Sequence, residues 1–186
     1  MNQQTSAPPP SWRRSKRPRN ILGGTYGSPV HPVLVTVPIG AWLASLVLDI
    51  GSWAGGPPHV LYVGSLWVMG IGIVGAIAAA LTGFFDLLQV PAGSHVLRLG
   101  LAHMFLNFSA TTAYLSNFLM RWRWQGMVGA VPVWLVILSA ASFATLAASG
   151  HLGGLLAYRY GVRVADETTQ KDGYGLAAGR PASQGG

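Results

Sequence analysis

The chain has 186 residues, 51% of them hydrophobic and only 9% charged, against roughly 25% charged in soluble domains. That balance excludes an ordinary water-soluble globule. The absence of cysteine excludes disulfides, thiolate zinc sites, cysteine-held iron–sulfur clusters and cysteine nucleophiles in this chain. The formal charge of +7 sits on basic residues that flank apolar blocks, where it orients a membrane protein and attracts anionic lipid; no nucleic-acid partner is expected.

Residues 1–28 are rich in Pro, Ser, Gly and Arg, cluster Arg13, Arg14, Lys16, Arg17 and Arg19, and show no apolar periodicity, which predicts a disordered basic tail. The apolar run begins too late for a secretory signal, and more basic and Gly-rich sequence separates Arg13-Arg14 from it, against a twin-arginine signal. A domain of four transmembrane helices is predicted over residues 29–164, with spans at about 33–50, 62–88, 97–119 and 131–158. These runs approach or exceed the roughly 20 residues that cross a bilayer as helix, and they lack the alternation of barrel strands. Residues 165–186 are polar and Gly-rich and predict a second disordered tail. The fold class is therefore all-α, an integral membrane four-helix bundle.

Four spans put ten of the twelve lysines and arginines on the side of the two termini, and Arg121 and Arg123 on the other. The positive-inside rule then places both termini in the cytoplasm. Trp53, Tyr62, Trp122, Trp124 and Trp134 fit an outer aromatic belt, Tyr158 and Tyr160 an inner one. Small residues form ridges for close helix approach: Gly75, Ala79 and Gly83 beside Gly72, Ala76 and Ala80 in the second span, and Ala140, Ala144 and Ala148 in the fourth. The second span is expected to be the central helix. Pro38 deprives the Leu34 carbonyl of its helical donor, which marks a candidate kink.

Polar side chains at membrane depth are costly unless they face the interior, so they are the candidate functional groups. His103, Asn107, Thr111 and Tyr114 share one helix face. His103 lies six residues inside the third span and His151 seven before the end of the fourth, so both sit roughly 10 Å from the same boundary. Asp86 closes the second span slightly shallower, and His31 opens the first. The expected site is a polar layer of His31, Asp86, His103, Asn107 and His151. Two imidazoles at one depth suit the iron of a b-type haem, with His103 and His151, or His31, as ligands. The same groups could serve a quinone, a divalent metal or a proton relay. They also have plain structural readings: His31-Pro32 as a helix start, Asp86 paired with Arg98, and His103 bonded to Asn107 as polar glue. Asp49, near the far end of the first span, is a weaker candidate. The chain has no phosphate-binding Gly-Lys-Ser/Thr loop, no G-x-S-x-G elbow and no H-E-x-x-H helix, so soluble-enzyme chemistry finds no support.

These residues also carry a resemblance. His31-Pro32-Val33-Leu34-Val35-Thr36-Val37-Pro38-Ile39-Gly40, Thr82-Gly83-Phe84-Phe85-Asp86, His103-Met104-Phe105-Leu106-Asn107 and Gly150-His151-Leu152-Gly153-Gly154, in that order, resemble the bacterial membrane family known as domain of unknown function 2231, over about residues 29–164. The resemblance implies four spans in the cell membrane and no settled activity. Some relatives are joined to Rieske-type iron–sulfur domains, which implies electron transfer with a redox partner protein. It extends to His31, Asp86, His103, Asn107, Gly153 and Gly154. Relatives often differ at His151 and carry His where this chain has Tyr160, which favours His31–His103 over His103–His151 as the ligand pair. The expectation is a redox-associated membrane subunit with a haem or quinone site near the cytoplasmic face, acting with a partner or as a homo-oligomer. The alternative is a structural or assembly subunit without cofactor; a proton or metal-ion pathway is a third reading.

Overall fold

The structure is a computed structural model that describes residues 11–123 and 129–174. Its body consists of a short helix α1 (His31–Leu34) running into α2 (Thr36–Gly51), then α3 (Pro58–Leu87), α4 (His95–Arg123) and α5 (Val133–Gly154). A π turn over Leu155–Arg159 extends α5, and α6 (Glu167–Tyr174) follows. The long helices close a ring, α2 on α3, α3 on α4, α4 on α5 and α5 on α2. The break between α1 and α2 falls at Val35, beside the Leu34 carbonyl that Pro38 cannot engage.

Three helical runs, His31–Gly51, Pro58–Leu87 and Val133–Arg159, are long and apolar enough to cross a membrane. The helix of the third predicted span forms, as α4, and is 29 residues long. It is not among the three, because its polar residues, from Arg98 through His103, Asn107 and Asn117 to Arg121, lower its hydropathy.

The distribution of side chains is inverted relative to a soluble protein. Val47, Trp67, Val74, Leu81, Phe105, Phe108 and Ile137 are exposed, whereas Ser45, Asp49, Ser65, Asn117, Arg121, Ser139 and Ser149 are buried. In lipid, apolar side chains gain nothing by leaving the surface and polar ones must find partners inside. The apolar centre is Trp42 stacked on Tyr114, ring centroids 4.1 Å apart, with Met69 and Ile73 against them. The Trp42 indole lies where a Cβ on Gly72 would stand, and Val37 and Pro38 do the same at Gly75. The glycines of α3 thus let the first helical run approach closely, as the ridge predicted.

The ridge expected on α5 is a correction. Ala140, Ala144 and Ala148 are exposed, and Ser139, Ser142 and Ser149 face the interior instead. Alanine is indifferent to lipid, whereas a serine hydroxyl needs a hydrogen-bond partner, so the serine stripe decides the orientation. Tyr62 likewise leaves the expected aromatic belt: it is fully buried and donates its hydroxyl to the Arg121 carbonyl. Trp124 lies outside the described residues.

From Ser11 onward the basic segment read as a disordered tail is folded: 3-10 turns over Ser11–Lys16 and Ile21–Gly23 lead into a two-residue antiparallel pair, β1 (Gly24–Thr25) with β2 (Ser28–Pro29). Contacts with residues 163–166 hold it in place: Lys16 reaches the Val164 carbonyl and the Asp166 backbone N–H donates to the Tyr26 hydroxyl. Arg163, at the far end of the sequence, donates its backbone N–H to the Ser15 carbonyl and its guanidinium to the Gly23 carbonyl. Low apolar content in the segment itself gives no hint of an anchor so distant in sequence.

Candidate functional site: a paired-histidine layer

His31 begins α1 and its ring lies against α3. Its Nδ1 stands 2.8 Å from the Ala79 carbonyl, and its Cε1 would be 2.8 Å from a Cβ on Gly83, so glycine is what admits the imidazole there. His103 repeats the arrangement between α4 and α5. Its Nδ1 stands 2.8 Å from the Ser149 carbonyl, and a Cβ on Gly153 would lie 3.0 Å from its Cε1. A carbonyl only accepts, so in both rings Nδ1 carries the proton and Nε2 is left as the basic nitrogen. The Asn107 amide donates to His103 Nε2 at 3.0 Å, and the Ser149 hydroxyl donates to the His103 carbonyl at 3.0 Å. His31 Nε2 has no hydrogen-bond partner among the described residues. The two ring centroids are 6.3 Å apart and the rings nearly perpendicular, at 86°.

The structure therefore brings together three of the five predicted site residues, His31, His103 and Asn107. His151 does not join them. It is exposed on α5, two residues and about 200° of helix turn from Ser149, whose carbonyl and hydroxyl occupy His103. Equal depth is no guarantee of a shared face. Asp86 stands in its own contact, an ion pair at 2.8 Å with Arg163 rather than the expected Arg98. Among the described residues no three His, Asp or Glu side chains converge on one point.

Sequence reading missed the largest polar cluster, at the opposite end of the bundle. Arg121 Nη1 and Nη2 reach the two oxygens of Asp49 at 2.7 and 2.8 Å, with both side chains fully buried. Ser65 donates to Asp49 at 2.5 Å, and Arg121 Nε donates to Asn117 Oδ1 at 2.7 Å. Asn117 in turn donates to the Leu135 carbonyl and to Ser139 Oγ. All four long helices meet in this network, and none of its side-chain atoms is among the buried polar atoms without a partner. The signal was available. The inward stripe of His103 and Asn107 continues through Ala110, Tyr114 and Asn117 to Arg121 at helical spacing, and Asp49 follows Trp42 and Ser45 on α2 in the same way.

Membrane-length helices with apolar exteriors and a buried, hydrogen-bonded polar interior define this as a membrane protein. Residues 27–166 match the family described as predicted membrane protein (DUF2231), and the chain belongs to that family. No curated protein and no solved structure matches the chain.

Proposed function

We propose that the chain is a multi-pass subunit of the bacterial cell membrane that holds a b-type haem between His31 and His103 and exchanges electrons with a partner protein. In this reading α4 is a fourth span, its polar stripe turned inward onto α5, and both termini are cytoplasmic. The orientation rests on the basic residues. Arg121 is neutralised by Asp49, which leaves the end of the bundle away from the termini poorer still in free positive charge.

The observation that carries the haem reading is the geometry of the two imidazoles. Each is fixed through Nδ1 by the carbonyl of a neighbouring helix, the outer-shell contact that orients metal-ligating histidines. His31 and His103 would be the residues that hold the haem: their ring centroids are 6.3 Å apart, and each keeps Nε2 as the basic nitrogen it would offer a metal ion. His103 would exchange its hydrogen bond from Asn107 for the iron. A haem so held supplies a one-electron couple. The protein's part is to hold both rings in the Nδ1-protonated form. A quinone in the same layer would use His31 Nε2 and the Asn107 amide as its polar contacts.

A second reading, a structural or assembly subunit without cofactor, has its own support. His103 is hydrogen-bonded on both nitrogens by groups of the chain itself, Ser149 and Asn107. The absorption spectrum of detergent-purified protein, oxidised and dithionite-reduced, separates the two. A Soret band that shifts on reduction, survives His151→Ala and is lost in His31→Ala and His103→Ala supports the haem. A featureless spectrum from folded protein made in a haem-replete host leaves the structural reading.

A further inference from the structure

Beside the ordered basic segment lies a cleft of about 370 Å³, lined by Trp12, Arg13, Lys16, Arg17 and Tyr26 on one side and by Asp166, Thr168 and Thr169 on the other. We infer that this cleft binds the phosphate of an anionic phospholipid headgroup.

Three cations face one carboxylate, and the carboxylate is already engaged: Asp166 accepts from the Thr169 backbone N–H at 2.9 Å and from its hydroxyl at 3.0 Å. Two of the cations are set on aromatic faces, Arg13 5.5 Å from the Trp12 ring centroid and Arg17 5.4 Å from that of Tyr26. Stacking of this kind holds a guanidinium while leaving its N–H fork open to a phosphate. Lys16 reaches across to the Val164 carbonyl at 3.4 Å and ties the two walls.

Position selects a lipid over free phosphate. Arg163 links this segment to Asp86 in the last turn of α3, so the cleft lies at the end of the membrane-length helices. Trp12, Ile21 and Leu22 are exposed on the same segment, with Ile21 91% accessible, beside the basic residues. Exposed aromatic and aliphatic side chains among cations are the composition of a membrane interface. The inference is independent of whether a haem binds.

The test is calorimetric titration of the full chain in detergent with dihexanoyl phosphatidylglycerol, the matching phosphatidylcholine, and inorganic phosphate. Saturable binding is expected for phosphatidylglycerol, with the other two at least about tenfold weaker and the affinity falling with salt. The double variant R13Q/R17Q should weaken binding about tenfold or more. R14Q/R19Q removes the same charge from exposed residues outside the cleft and should change it less than about threefold. Equal losses in the two pairs would mean a diffuse basic surface and overturn the site, as would no saturable phosphatidylglycerol binding. Phosphate binding as tight as the lipid would overturn the lipid assignment. Should R13Q/R17Q fail to fold, the charge-preserving Thr168→Val serves in its place, with a several-fold loss expected and no loss counting against the site.

Discussion

Arg121 and Asp49 meet as a two-pronged ion pair, 2.7 and 2.8 Å at its two contacts, 72 positions apart in sequence and wholly out of contact with solvent. A charge pair placed so is costly to desolvate, and it is tolerable because Ser65 and Asn117 occupy remaining acceptor and donor positions. Removing one partner strands the other. Asp49→Asn is therefore expected to destabilise the bundle by about 3–5 kcal/mol, and R121Q by a similar amount. The double variant D49N/R121Q should lose much less than the sum of the two, since neither charge is then left unpaired. Unfolding midpoints in detergent measure this, and strictly additive losses would show that the pair carries no coupling.

How much of this was readable beforehand differs between the two ends of the bundle. His103 and Asn107 stand mid-helix, one turn apart in an apolar context, so their inward face follows from spacing alone. Arg121 stands two residues from the end of α4 and beside Arg123, where a basic residue reads as an interfacial anchor. Only the packing of α2 against α3 and of α4 against α5, with the serine stripe turned inward, brings Asp49 to it. His151 errs in the other direction: position along the helix says nothing of rotation about it, and the rotation that Ser149 imposes on α5 depends on a hydroxyl's need for a partner rather than on apolar periodicity, which is nearly uniform around that helix.

His151→Ala should accordingly be silent. The side chain is exposed and outside the paired-histidine layer, so a change within about 0.5 kcal/mol is expected. His103→Ala in parallel removes contacts to both Ser149 and Asn107 and should cost about 1–3 kcal/mol. Comparable effects of the two substitutions on thermal stability would contradict the placement of α5.

The glycines of α3 make a sharper test of close packing. At Gly72 an added methyl would meet the Trp42 indole, which cannot yield easily because it is stacked on Tyr114 and donates Nε1–H to the Met69 carbonyl at 3.3 Å. Gly72→Ala should cost about 1–3 kcal/mol by overpacking. Gly150 has no atom within 4 Å of where its Cβ would be, so Gly150→Ala should be neutral or slightly stabilising. Loss of stability at both positions would mean that helix context, not the Trp42 contact, governs the cost.

Asp166, outside the membrane-length helices, carries a pH dependence of known sign. The Thr169 backbone N–H, then the Tyr26 hydroxyl and the Thr169 side chain, hold its carboxyl below the usual range. The folded-state pKa is depressed, so the stabilisation is present above the ordinary value of about 3.9 and is lost as pH falls through the lower folded value. The protection of the Thr169 amide, taken as its exchange rate relative to the intrinsic rate at the same pH, should fall on acidification in that window, and Asp166→Asn should abolish that fall. An amide equally protected at pH 6 and pH 2 would rule out the carboxylate as its partner.

Arg163 holds the two ends of the chain together at a backbone angle that side chains rarely adopt, φ +62°. That conformation is tolerated because the residue is buried between Asp86, Gly23 and Ser15. Arg163→Ala removes the guanidinium and keeps the strain, whereas Arg163→Gly removes both. If the side-chain clasp orders the basic segment, both variants should speed tryptic cleavage after Arg14 and Lys16, and Gly should retain more thermal stability than Ala. Cleavage at the wild-type rate in both would assign the order to the contacts that do not use the Arg163 side chain: its backbone N–H on Ser15, Lys16 on the Val164 carbonyl and the Asp166 N–H on Tyr26. Faster cleavage in Ala alone would assign the order to backbone strain, because glycine would then restore it without any charge.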